Sequence, residues 1–225
     1  MPPLPPTFDY RPPTEPWISV VHEDDRLIVC DKPSGLLTVP GKDASLADCL
    51  EARVQARYPE RPDTKVVHRL DKDTSGLLLL AFDKKALGSL GSQFEHRRVE
   101  KYYVARVWGE VEGESGVIDL PLATDWENKP RQRIDHEHGR AARTEWEVIG
   151  REPGATRLKL IPLTGRTHQL RVHMVALGHP ILGDSFYASG DALAAADRLQ
   201  LHAEGLSFFH PDDLRRMDLT SPAPF

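Results

Sequence analysis

The stretch VVHRLDKDTSGLLLLAFD, residues 66–83, sets two apolar runs on either side of a charged connector. Val66-Val67 and Leu77 to Phe82 read as strands. Between them, HRLDKDTSG carries two cations, two acids, a histidine and two hydroxyls. A hairpin turn takes two to five residues and Gly or Asn chemistry. This connector is longer and far more charged. Thr74-Ser75-Gly76 reads as a tight re-entry into the second strand, and Asp73 and Ser75 suit turn roles bonded to backbone amides. Asp71 has two readings. It is a turn aspartate of the same kind, the commoner use of such an acid, or it is a nucleophile or general base.

Working outward, WISVVHEDDRLIVCDKPSG reads as two short strands around Glu23-Asp24-Asp25, and Ser45 as the cap of a helix with Leu46, Leu50 and Val54 on one face. Asp83 caps a helix whose apolar face is Leu87, Leu90 and Phe94. KYYVARVW (101–108), ARTEWEVIG and TRLKLIPL read as strands, the second with Thr144, Trp146 and Val148 alternating with polar neighbours. RTHQLRVHMVALG reads as a helix with Thr167 near its start and Gly178 just past its end. RLQLHAEGLSFFHP and RMDLTS close the chain as strands. Strands in runs with a few helices between them predict an α+β fold with a mixed, largely antiparallel sheet and flanking helices. Residues 1–16 hold seven prolines and predict a flexible arm, leaving one domain over 17–225.

The 225 residues are 40% hydrophobic, as in a soluble globular protein. No apolar run approaches a membrane span, and the start lacks the pattern of a signal peptide. The expected setting is cytoplasmic, and Cys30 and Cys49 suit a reducing compartment. The net charge of −5 argues mildly against a nucleic-acid partner, but the sum hides its distribution. Pro153 to Gly183 contains no acid, yet holds Arg157, Lys159, Arg166, Arg171 and three histidines. Lys129, Arg131 and Arg133 form a second cluster. These are either scattered solvated charges or a local positive face on an acidic protein. Gly165 and the hydroxyls of Thr164 and Thr167 place Arg166 at a loop-to-helix junction, where it could hold a carboxylate; the alternative is a surface arginine. His168 and His173 are five apart, which splits them across a helix and argues against a metal pair. No P-loop, GxGxxG or GxSxG is present, so no nucleotide cofactor is indicated.

Taken together, HRLDKDTSG, KYYVARVWG, TGRTHQLRVH and LGHPILGD resemble the RluA family of pseudouridine synthases, colinearly over roughly residues 17–225. The match is to short members without an appended S4-type RNA-binding domain. The resemblance implies isomerisation of uridine in structured RNA, in tRNA anticodon loops and in a 23S rRNA stem-loop, acting on RNA and not DNA and needing no metal or other cofactor; nothing in the sequence demands a dimer, and a monomer is expected. It implies Asp71 as the catalytic carboxylate and Tyr103, the tyrosine of KxYxAxVxG, stacked on the flipped uracil and serving late as a base. Arg166 is expected to pair with Asp71, Leu201 to pack on the other face of the base, and Arg69 to fill the gap left by the flipped nucleotide. His68, Arg171, Lys129, Arg131 and Arg133 complete the expected RNA contacts. Two other functions compete. An RNA-binding protein without catalysis would not need Asp71, Tyr103 and Arg166 together. A nucleoside or glycoside hydrolase usually needs a second carboxylate.

Overall fold

The computed structural model describes residues 10–225. Its frame is a mixed sheet in the order β1 (Val20–Glu23), β2 (Leu27–Lys32), β4 (Ser75–Ala81), β11 (Leu201–Phe209), β5 (Glu100–Trp108), β10 (Ala155–Pro162), β9 (Arg143–Glu152) and β6 (Ser115–Asp119). Two short strands join it laterally: β3 (Lys65–Val66) pairs with β4, and β12 (Arg216–Thr220) pairs with β11. All pairings are antiparallel except β4–β11, which is parallel and touches only at His202–Ser75 and Ala203–Gly76. A separate hairpin, β7 (Leu122–Thr124) with β8 (Gln132–Ile134), stands off the sheet.

β4 is buried along its whole length, which is why SGLLLLA reads as an unbroken apolar run rather than an alternating one. Its two faces enter different clusters. Leu77 and Leu79 pack with β2, β11 and helix α2 (Lys84–Glu95), while Leu78 and Leu80 pack with Ile28, Leu36 and helix α1 (Leu50–Arg57). The other half of the sheet packs Ala105, Val107, Leu158, Leu160 and Leu201 against Leu170 and Met174 of helix α3 (Gln169–Ala176). Tyr103 touches both the α1 and the α3 clusters, so it lies on the seam between the two halves. A fourth helix, α4 (Gly190–Ala194), is one short turn.

Asp83 caps α2 as expected, accepting from Lys85 N and Ala86 N. The cap of α1 differs. Residues 44–46 form an isolated 3-10 turn capped by Asp43, and α1 begins only after Cys49, whose Sγ accepts from Ala52 N. Ser45 donates its hydroxyl to Asp43 instead of capping. Residues 1–9 of the expected arm lie outside the described residues; within 10–17, Tyr10, Pro13 and Trp17 contact the body. Tyr10 Oη donates to Asp48 O and accepts from Leu37 N. The fully buried Arg53 is bidentate to Asp48, donates to Pro13 O and stacks 4.1 Å from the Trp17 ring.

Candidate active site

The connector between β3 and β4 is fixed from beneath by backbone bonds. Thr38 Oγ1 donates to Leu70 O and accepts from Leu70 N. Ser34 Oγ donates to Asp73 O at 2.7 Å, and Gly35 N to Lys72 O. Lys32, wholly buried, points three donors at the carbonyls of Pro33, Leu36 and Lys72, at 2.7–2.9 Å. Burial pulls its pKa down to about 7, against the pull of Asp73, Asp71 and Asp31. Three acceptors for three N–H bonds favour the ammonium, because a neutral amine would turn a lone pair on one carbonyl. Asp73, which also pairs with Lys72 at 3.2 Å, thus helps keep a buried cation charged beneath the loop. At the exit, Gly76 sits at φ +113°, and a Cβ there would collide with the backbone of Ala203, so the β4–β11 contact requires glycine.

Above this base, the Asp71 carboxylate is 27% exposed, and the guanidinium that reaches it is that of Arg171, 3.6 Å away. Arg171 is 1% exposed and is clamped by the fully buried Asp184, from Nε at 2.8 Å and Nη2 at 2.6 Å. Asp184 in turn accepts from Phe186 N and Tyr187 N. His168 Nε2 lies 3.9 Å from the same Asp71 oxygen. Its tautomer follows from its neighbours. Gln132 N donates to Tyr187 Oη, so the Tyr187 proton is free to go to His168 Nδ1, 2.7 Å away. Burial holds Tyr187 protonated, pushing it up to about 12, and lowers His168 despite the adjacent Asp71. A neutral imidazole accepting at Nδ1 carries its hydrogen on Nε2, facing Asp71. His168 is also in the left-handed region at φ 53°, a strain on the order of 1 kcal/mol.

The expectations sort out residue by residue. Tyr103 is on the middle strand of the cleft, its pKa raised by burial and then by the Asp71 charge, and packs on the cluster that contains Leu201. Arg69 is exposed beside Asp71, and among the described residues nothing pairs with it. Arg166 does not pair with Asp71. Its Nε donates to Ala141 O, and among the described residues it forms no ion pair. Thr164 and Thr167 do not cap α3 either; Thr164 Oγ1 donates to Gln169 Oε1. Arg171 is not a surface phosphate contact but the buried counter-ion of Asp71 and Asp184. His68 is tied to the fold, with Nε2 accepting from Leu79 N, the ring stacked 4.8 Å from Phe94, and its pKa driven down to about 3 by burial. Lys129, Arg131 and Arg133 lie on or beside the β7–β8 hairpin, where Lys129 stands 3.8 Å over the ring of Trp126 and Arg133 pairs with Asp135. Lys32, His168, Asp184 and Tyr187 were not singled out as site members. The one signal for Lys32 is a lysine ending an otherwise buried run, LIVCDK.

A partly exposed carboxylate beside a buried guanidinium, with a tyrosine on the sheet seam close enough to feel its charge, is an arrangement suited to nucleophilic or general-base chemistry. Residues 26–176 match the family model described as RNA pseudouridylate synthase. The chain belongs to that family, whose members isomerise uridine to pseudouridine in RNA. Among curated relatives, the Dual-specificity RNA pseudouridine synthase RluA of Vibrio vulnificus is 50% identical over 223 residues, covering 97% of this chain and 88% of the relative. The protein of that name from Escherichia coli (strain K12) is 49% identical, covering 96% and 98%. Among solved structures, Human RNA Pseudouridylate Synthase Domain Containing 1 superposes with a TM-score of 0.76 at 31% identity, over 92% of this chain and 84% of that one.

Proposed function

We propose that this pseudouridine synthase acts on uridines in tRNA anticodon loops and in a 23S rRNA stem-loop, with Asp71 as the group that engages the sugar. The carrying observation is that a partly exposed carboxylate is held by a buried Arg171–Asp184 pair and faced by Tyr103. Similarity to relatives named as dual-specificity enzymes supports the two RNA classes.

The reaction is an isomerisation. The N1–C1′ bond breaks, the uracil turns within the pocket, C5 bonds to C1′, the C5 proton leaves and N1 takes one up. Asp71 acts on the sugar when the glycosidic bond breaks, and Arg171 and the His168 Nε2–H hold it in place. Tyr103, with a raised pKa, stays protonated at neutral pH and offers a ring to stack on the extruded base, with Leu201 behind it. Arg69 supplies a free cation to enter the space that base leaves. Two buried free thiols, Cys30 and Cys49, fit the cytoplasmic setting in which these RNAs reside.

The test is incubation of the purified protein with labelled anticodon stem-loop and rRNA stem-loop transcripts, followed by mapping of pseudouridine and assay of free uracil. Pseudouridine in both with no free uracil is expected. Conversion of only one RNA would remove the dual reading, and release of uracil would make the protein a hydrolase.

A further inference from the structure

The cations that Asp71 does not use gather elsewhere. A cleft of about 760 Å³ opens beside the catalytic connector, between the C-terminal end of α2, the start of β5 and the loop from β10 to α3. Arg97, Lys101, Lys159 and Arg166 line it, against an apolar wall that includes Phe94 and Ile161. Arg140 adjoins them, next to the carbonyl of Ala141 that Arg166 holds. Lys101 Nζ approaches within 4.0 Å of where a side chain on Gly165 would start, and stands 5.6 Å over the Phe94 ring.

Among the described residues none of these five cations has an ion pair. The acids on the rim are Glu95 and Glu100, and Glu100 is already bidentate to Arg216. Arg97 and Arg140 crowd Arg166 enough to lower its pKa, with burial the larger cause. Like charges held together without counter-ions raise the energy of the fold unless an anion joins them.

Arg97 adds an independent sign. It ends α2 at φ 57°, with Arg98 N bonded to Gln93 O and Arg97 N to Phe94 O. Glycine is the favoured residue at that left-handed position. An arginine there gives up backbone energy to place a guanidinium at the mouth of the cleft. The cleft lies near the connector, because Phe94 on its wall is also the ring on which His68 stacks, one residue from Arg69.

We infer that this cleft is a second RNA site, which takes a single-stranded segment flanking the target hairpin, with successive phosphates on Arg97, Arg140 and Arg166 and a base against Phe94 and Ile161. The apolar wall suits a base face, and the row of cations suits a polyanion rather than a single small anion. Arg166 thereby acquires a partner, the RNA backbone. The inference rests on RNA being the substrate.

The experiment compares wild type with Arg97→Gln/Arg140→Gln on a stem-loop carrying single-stranded flanks and on one trimmed to the target hairpin. Arg151→Gln, an exposed residue paired with Glu114, is the control for charge. Loss of two contacts should weaken binding of the flanked RNA roughly 10-fold or more at low salt. It should also reduce the slope of log affinity against log salt by about 1.4, since each single-strand phosphate contributes about 0.7. The loss should fall on KM more than on kcat, be small on the trimmed RNA, and be absent from the control. The unfolding midpoint should hold or rise as repulsion is relieved. Equal affinity and salt slope for the folded double variant and wild type on flanked RNA would overturn the inference, as would equal losses on both RNAs. A wild type that makes no pseudouridine on either RNA would instead sink the functional reading.

Discussion

The connector at 67–74 and the β7–β8 hairpin both carry charge, and they carry it in opposite ways. The connector is bonded to the body at Leu70, Lys72 and Asp73, and its carboxylate is held by an arginine 1% exposed. The hairpin leaves Trp126 72% exposed, with Lys129 across its ring and Arg131 in solvent. The contrast fits the proposed roles: a group that is to meet one carbon in one orientation is best fixed before substrate arrives, whereas groups that are to meet a phosphate backbone need only charge and reach. Among the described residues the two regions are coupled where Gln132 N of β8 bonds the Tyr187 hydroxyl that reaches His168, and where Leu122 and Ile134 of the hairpin pack with Val172 of α3, next to Arg171.

The largest effect should come from the connector. Asp71→Asn keeps the shape and removes the charge, and turnover should fall by roughly 10³-fold or more. RNA affinity should change little, because phosphate contacts supply most of it. Single-turnover kinetics and filter binding on the same RNA check both halves. Retained turnover would remove Asp71 from the chemistry; a parallel loss of affinity would erase the contrast with the hairpin.

Next in size is the arginine pair. Arg171→Ala leaves Asp184 buried without its cation, which should cost about 3–5 kcal/mol of stability as well as turnover. Arg166→Ala removes a half-buried side chain that has no ion pair among the described residues and one bond to Ala141 O, and should cost no more than about 1 kcal/mol. Denaturant unfolding of the two variants decides between them. Similar stability losses would mean that the buried network is not what holds the site.

Those two arginines also mark where the sequence stopped being legible. Both lie in LTGRTHQLRVH, and Arg166 at the loop-to-helix junction had the better local argument. What selects Arg171 is that every residue from Gln169 to Met174 is buried, so the polar side of α3 faces inward. Its partner Asp184 lies one residue beyond the acid-free stretch that suggested a surface patch. Helical periodicity fixes which residues share a face, not what that face meets. His173, bonded to Thr144 and Leu120 O, was hidden in the same way. The strands with strong apolar runs, β2, β4, β5, β10 and β11, were readable because burial and sequence pattern coincide there. β6, β7 and β8 were missed, being short and half exposed. The roles proposed for Asp71 and Tyr103 come only from the joint resemblance of several motifs, since neither stands out by spacing alone.

Acid should act on the fixed region before the mobile charges. His68, His168, His173 and His202 all have pKa values lowered, each chiefly by burial, His68 to about 3. Between those values and the ordinary 6.5 the unfolded chain binds protons that the fold refuses. Stability therefore falls as pH drops below about 6.5, by up to about 1.4 kcal/mol per pH unit for each histidine still neutral in the fold. Urea unfolding at pH 7 and pH 5 measures it, and His173→Gln should flatten the slope by its share. A stability unchanged between the two pH values would mean that these imidazoles take up protons in place.

The smallest effect belongs to the hairpin. Arg131 is exposed and Lys129, among the described residues, pairs only with the Trp126 ring, so truncating either to Ala should move stability by no more than about 0.5 kcal/mol. Each variant gives up at most one phosphate contact, which predicts a few-fold loss of RNA affinity at low salt and a salt slope smaller by about 0.7–0.9. At high salt the loss should vanish, because the contact is counter-ion exchange and not geometry. Lys129→Arg should keep the charge and the ring contact and bind like wild type. Turnover at saturating RNA separates the hairpin's two connections. If it stays level in Lys129→Ala and Arg131→Ala, the hairpin only grips. If it falls while affinity holds, the Gln132–Tyr187–His168 path carries hairpin position to Asp71, and the division between a fixed catalytic region and a free binding region fails at that joint.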